Sequence, residues 1–245
     1  MRILITNDDG VTSRGLLMLA EILSKKHEVL VVAPESEQSA TGHAITIRMP
    51  LWVKRVALSR VFPVFATTGT PADCVKLGVE VLSNGAVDLV ISGINRGFNL
   101  GTDIIYSGTV SGALEGVLLG IPSVAVSGPI SESFNVEQAA EFVNKFIAEF
   151  DFNMLPAFCA LNINIPEGKI KGWRAARQSK RRFADRFESR RDPSGKTYYW
   201  LYGDVVEDDS DPEADYRVVN QGYASVTPIS VFLTEENVLK TMRRR

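Results

Sequence analysis

Residues 1–10 read MRILITNDDG, and the reading of this stretch decides the rest. Arg2 to Thr6 is a short apolar run with β-branched members, cut off at Asn7, Asp8, Asp9 and Gly10. That is the pattern of a buried strand ending in an acidic turn. In an open parallel α/β sheet, ligands lie beyond the carboxyl ends of the strands, so Asp8 and Asp9 stand at the functional edge. Adjacent carboxylates repel one another and resist burial, and a bound hard cation relieves both costs. Asn, Asp and Gly are equally ordinary turn residues, so the stretch alone does not separate a divalent-metal site from a plain turn.

Working outward, Thr12 and Ser13 are candidate caps for a helix through Leu16, Leu19, Ala20 and Leu23, and Glu28 to Ala33 is a second strand. Strand, helix and strand within about 30 residues make a βαβ unit with a parallel pair and a right-handed crossover. The topology is Rossmann-like, but the dinucleotide fingerprint G-x-G-x-x-G and the phosphate loop G-x-x-x-x-G-K-[ST] are both missing. That disfavours NAD and P-loop chemistry. The loop after the second strand carries Ser39 and His43 to the same sheet edge; as composition, it reads as a solvated loop. Ile45, Ile47, Leu51 and Val53 alternate as a hairpin would, and Val61 to Ala66 supplies another strand. Thr70, Pro71 and Asp73 form a capped helix start.

Asp88 to Ser92 is a third core strand that opens into an amide-rich turn holding Asn95 and Asn99. An asparagine offers a neutral carbonyl oxygen to a hard cation without adding repulsion beside two carboxylates. Ser107, Gly108 and Thr109 then begin a helix through Leu114, Val117 and Leu118. Free N–H groups, two hydroxyls and the positive end of a helix dipole suit a phosphate, although capping by Ser107 or Thr109 alone would explain the residues. Ser123 to Ser127 gives a fourth core strand, residues 136–150 an amphipathic helix, and Ala160 to Ile165 closes the regular α/β part.

Beyond Pro166 the texture changes. Arg174 to Arg191 is a basic stretch with Trp173, Phe183 and Phe187 among it, Lys196 to Tyr202 is hairpin material, Asp204 to Asp215 is acidic, and Thr234 to Arg244 reads as a final helix. The expected organisation is a catalytic core over 1–165 and an extension over 166–245 that builds subunit contacts. Basic residues among aromatics can bind RNA, but the acidic segment nearby can neutralise them. The whole chain of 245 residues has 27 Lys and Arg against 29 Asp and Glu, a net charge of -2, so no global field argues for nucleic acid or membrane. Cys74 and Cys159 lie among apolar neighbours, as buried thiols in a reducing cytosol do. With no signal-peptide pattern and no long apolar run, a soluble cytoplasmic protein is expected.

Five blocks in order carry a resemblance: ITNDDG at 5–10, SATGHAIT at 39–46, TGTPADCV at 68–75, SGINRGFNLG at 92–101 and YSGTVSGALEG at 106–116. Over essentially its whole length the chain resembles the SurE survival-protein family of metal-dependent 5′-nucleotidases. The resemblance implies a Rossmann-like α/β core with a mostly parallel sheet, a divalent cation such as Mg2+ or Mn2+, and hydrolysis of nucleoside 5′-monophosphates. It also implies a homodimer or tetramer assembled through carboxyl-terminal elements. Carried onto matching positions, the metal ligands are Asp8, Asp9, Ser39 and Asn95. Ser107, Gly108 and Thr109 surround the phosphate, with Asn99 behind Asn95. The family also acts on other phosphate esters and on polyphosphate. Where it often has His before Ser107, this chain has Tyr106. Asp8 or Asp9 is a candidate proton acceptor for an attacking water, and His43 is a further candidate base.

Competing classes fit less well. An aspartyl-phosphate enzyme of the haloacid dehalogenase type needs D-x-D after the first strand, and a receiver domain needs an Asp where the strand at 88–92 runs into Gly93 and Asn95. A non-enzymatic nucleotide- or RNA-binding protein using residues 174–191 is the alternative from another class.

Overall fold

In a computed structural model, which describes residues 1–243, the chain forms a mixed α/β fold around one nine-stranded sheet. The strands are β1 (Arg2–Thr6), β2 (Glu28–Pro34), β3 (Val53–Arg55), β4 (Val64–Thr67), β5 (Leu89–Arg96), β6 (Ser123–Gly128), β7 (Cys159–Asn164), β8 (Trp173–Ala175), β9 (Arg182–Arg191), β10 (Thr197–Val206) and β11 (Ala224–Ser230). The helices are α1 (Arg14–Ser24), α2 (Pro71–Leu77), α3 (Asp103–Tyr106), α4 (Gly108–Leu118), α5 (Val136–Glu149), α6 (Asp215–Asn220) and α7 (Glu236–Met242). Sheet order is β3-β4-β2-β1-β5-β6-β7-β11-β8, and β4 through β7 in that order are parallel. β1 is central, so the acidic turn that ends it lies between the carboxyl ends of β2 and β5.

Burial follows the period of two along a strand. Ile3 and Ile5 of β1 pack in one cluster with Leu16, Leu19 and Leu23 of α1 and with Val143 and Phe146 of α5. Leu4, pointing the other way, packs with Cys74 and Val75 of α2 and Val79 just beyond it. α4 covers the second face further along, through Val110, Ala113 and Val117 against Ala125 and Ala160. The result is a three-layer helix–sheet–helix arrangement, as expected.

Several boundaries differ from the sequence reading. The alternation at 45–53 does not make a hairpin: Ile45 and Ile47 are exposed loop, and only Val53–Arg55 pairs, antiparallel, with β4. Alternation marks a strand only where a partner and a core are at hand. The strand read as 61–66 is Val64–Thr67. β5 does not stop at Ser92 but runs to Arg96, with a register irregularity between Ser92 and Asn95.

The sheet does not end at residue 165 either. β11 pairs antiparallel with β7, and β8 pairs parallel with β11, so two pieces of the presumed extension complete the central sheet. Only β9 and β10 stand apart, as a two-stranded antiparallel hairpin. The final helix is shorter than expected, Glu236–Met242, and Arg244 lies outside the described residues. Among the described residues no helix is long and apolar enough to cross a membrane.

Candidate active site

The turn after β1 is held from within. Buried Asn7 donates through Nδ2 to the Gly10 carbonyl at 3.1 Å and to Ser13 Oγ at 3.0 Å, while Ser13 caps α1 by accepting from the Leu16 N–H at 3.3 Å. Gly10 has φ +98°, a left-handed conformation that favours glycine. Gly15 lets the first turn of α1 lie on β5, because a Cβ there would collide with the Ile94 carbonyl.

This frame sends the two carboxylates in different directions. Asp8 is buried, 4% exposed, against the amino end of α4, where it accepts from the Thr109 N–H at 2.9 Å and from Thr109 Oγ1 at 2.5 Å. Gly108 permits the approach, since a Cβ there would stand 2.9 Å from the Asp8 Cβ. Burial pushes the Asp8 carboxyl up, and the two Thr109 hydrogen bonds pull it back only in part. Asp9 faces a cleft and accepts from the Arg96 N–H at 3.2 Å. Burial, and then the neighbouring Asp8 charge, push the Asp9 carboxyl up to about 6. Two carboxylates that the fold keeps close and partly dry are short of positive charge.

The cleft, about 660 Å3, gathers Asp9, Ser39 and Asn95 from the ends of three parallel strands. Ser39 arrives because its loop is tied to the acidic turn, the Gln38 N–H donating to the Asp8 carbonyl at 2.7 Å. Its hydroxyl donates to Glu37 Oε1 at 2.6 Å, and Asn95 Nδ2 donates to the Gly97 carbonyl at 2.8 Å. Ser39 thus spends its one hydrogen internally and Asn95 one of its two, and both keep oxygen lone pairs free. With Asp9 they make an all-oxygen donor set facing the cleft, the kind a hard cation such as Mg2+ takes, while Asp8 lies buried beside it and does not line the cleft. No group of three His, Cys, Asp or Glu with metal-binding geometry exists among the described residues, so the set depends on neutral oxygens.

Other residues singled out in the sequence lie elsewhere. The Ser-Gly-Thr helix start lies against Asp8: Thr109 donates to its carboxyl group, and Ser107 caps α4 by accepting from the Val110 N–H at 3.0 Å. Asn99 is buried in a scaffold of amides, donating through Nδ2 to Ser127 Oγ and accepting at its carbonyl from Asn162 and Asn164. His43 turns away to Glu115 Oε2 at 2.9 Å, on α4, and Lys76 meets the same carboxylate at 2.5 Å. Tyr106 is 64% exposed, and its carbonyl accepts from the Gly42 N–H.

Several cleft residues escaped the sequence reading, charged ones among them. Glu37 sits two residues before Ser39, a spacing that would have flagged it. Arg14 and Arg96 also line the cleft, and neither forms an ion pair among the described residues. Nothing in their sequence context marks them.

An acid-lined cleft at the carboxyl edge of a parallel sheet, with oxygen donors from three strand ends, places the chain among α/β proteins whose ligand crevice lies outside the carboxyl ends of the strands. Comparison narrows the class. Residues 3–185 match the family described as survival protein SurE. A 5′-nucleotidase SurE of Pseudothermotoga lettingae is 68% identical over 243 residues, covering 99% of this chain and 94% of that protein. One from Thermosipho melanesiensis is 57% identical, covering 100% and 97%. The crystal structure of a SurE protein from Aquifex aeolicus superposes with a TM-score of 0.85 at 40% identity, covering 100% of this chain and 99% of that one. The chain belongs to the SurE survival-protein family.

Proposed function

We propose that the protein is a divalent-metal-dependent 5′-nucleotidase, hydrolysing nucleoside 5′-monophosphates to nucleoside and phosphate with water as nucleophile. The observation that carries this reading is the convergence of Asp9, Ser39 and Asn95 on one cleft, with Asp8 at their back. The names of the curated relatives, 5′-nucleotidase SurE, support the substrate class.

Asp8, Asp9, Ser39 and Asn95 would hold the cation, Mg2+ or Mn2+. When bound, it supplies Lewis acidity: it lowers the pKa of a water and offsets charge on the phosphoryl oxygens. Thr109 fixes Asp8 through both carboxylate oxygens, so Asp8 acts as a rigid anion and not as a proton carrier. Asp9, with one oxygen on the Arg96 N–H, is a cleft carboxylate able to accept the water's proton, at Oδ1. Arg14 and Arg96 are the cations available to the phosphate. The amino end of α4 works at one remove, by holding Asp8 in place.

The basic stretch supports the nucleic-acid reading poorly. Arg182 pairs with Asp208 at 2.9 Å, Arg190 with Glu188 at 2.7 Å, and Arg181 with both Glu207 and Asp103. The hairpin of β9 and β10 is instead proposed as a contact between copies of the chain, in a homodimer or tetramer. One of its faces carries Phe183, Phe187, Tyr199, Leu201 and Val205 in paired register, all exposed. An isolated two-stranded ribbon with such a face is marginal on its own in water.

Phosphate release from AMP, GMP, ribose 5-phosphate and tripolyphosphate, each with Mn2+ or Mg2+ and with EDTA, tests the reading. Metal-dependent release with the highest kcat/KM on the nucleotides is expected. Release from tripolyphosphate alone would move the function to polyphosphate, and salt-sensitive RNA binding without phosphate release would make it a binding protein.

A further inference from the structure

The cleft has a second wall that phosphate chemistry does not use. Besides the oxygen donors it is lined by Ile94, Pro129, Ile130, Phe134 and Val136. Most of these come from the loop that leaves the carboxyl end of β6, the same functional edge as the acidic turn.

That loop is fixed. The Phe134 ring packs on the backbone of Gly128, where no side chain would fit, and Ser131 Oγ donates to Glu167 Oε1 at 2.5 Å with Ser133 donating to the same atom. Ile130 nevertheless stays 73% exposed. It lies against the turn beside Asn95: its Cδ1 is 3.6 Å from the point where a Cβ on Gly97 would stand, and Asn95 Nδ2 is 3.8 Å from that point. An apolar ledge therefore lies on the same Gly97 turn as the Asn95 amide. A space of about 660 Å3 is far larger than a phosphate requires and falls in the range of sites for whole small molecules.

We propose that Ile130 and Phe134 form the nucleoside subsite, the flat face of the base lying on this ledge while the 5′-phosphate occupies the Asp9 and Asn95 end. This rests on the phosphomonoesterase reading above and adds to it where the leaving group sits. Every base has a π-face, so a ledge of this kind favours nucleosides over bare sugars and linear phosphates with little choice among bases.

Two variants and two readouts test it. Ile130→Ser removes an exposed side chain, at little cost to folding, and Phe134→Leu removes the ring while keeping an apolar residue against Gly128. In both, the KM for AMP is expected to rise about tenfold relative to the KM for ribose 5-phosphate, collapsing the preference for the nucleotide. Calorimetry with adenosine, the product nucleoside, should give binding to the wild type that weakens about tenfold in Ile130→Ser. Equal adenosine affinity in the two proteins, or none in the wild type, would overturn the subsite, as would KM values for the two phosphates that rise together. If the wild type releases phosphate from neither ester, the phosphomonoesterase reading fails, and the adenosine measurement still decides the ledge.

Discussion

Asp8 and Asp9 are neighbours in sequence with different environments, and the difference sets how each responds to pH. The Asp9 carboxyl in the metal-free fold stands at about 6, above its ordinary value of 3.8, so the folded form holds its proton more tightly than the unfolded chain does. Its contribution to stability is complete below about 3.8 and is lost as pH rises through about 6. In EDTA, Tm of the wild type should therefore fall, relative to Asp9→Asn, between about pH 4 and about pH 6. Thermal scans giving parallel Tm curves for the two proteins would contradict this. That Asp9, Ser39 and Asn95 share one cleft was legible because each follows or ends a core strand on the same sheet edge. What a side chain is spent on was not. Thr109 and Asn99 have the right chemistry for a ligand, yet Asp8 takes the first and the Ser127 and Asn164 scaffold the second. Both partners lie far away in sequence, so local spacing could not reveal them.

The loop between β2 and β3 is the element on which Ser39 depends, and two buried carboxylates clamp it. Asp73, read as a helix cap, does cap α2 through Thr70, but it also accepts from the Thr46 N–H at 3.0 Å and from Thr46 Oγ1 at 2.7 Å. Glu115 holds His43 of the same loop and Lys76 of α2. Burial raises the Glu115 carboxyl, but the His43 and Lys76 hydrogen bonds outweigh it and leave the group below 4.5. Its contribution is thus present above the unfolded value of 4.5 and is lost as pH falls through the lower folded value. Glu115→Gln should cost about 1–3 kcal/mol at pH 7, less than a fully buried pair because His43 and Lys76 are partly exposed. Urea midpoints should show the gap at pH 7 and a smaller one near pH 3. The same loop shows where pattern reading fails: Ile45 and Ile47 alternate, but these clamps, and no partner strand, set their path.

At the scale of the whole molecule, the parallel β4-β2-β1-β5-β6-β7 core was legible because its strands are apolar runs separated by amphipathic helices. The return of β11 and β8 to that sheet was not, since short segments after a long excursion carry no local sign of their partner. The hairpin between them holds half of the basic residues of 174–191 and exposes an apolar face. Phe187 and Leu201 are directly opposed on that face, 70% and 58% exposed, and charge there should keep copies apart without touching the core. A Phe187→Asp, Leu201→Asp double variant is expected to run at the mass of a single chain by light scattering where the wild type runs as a dimer or tetramer. A monomeric wild type would contradict the assigned role of the hairpin.

Whether the turn after β1 is a catalytic cation site is decided by phosphate release from AMP in EDTA, then with added Mn2+, for wild type and Asp9→Asn. The expected result is release by the wild type that requires the metal, with a loss of about a hundredfold to a thousandfold in the variant, the scale seen when a key transition-state charge contact is removed. Equal release in EDTA, or full activity in Asp9→Asn, would contradict it.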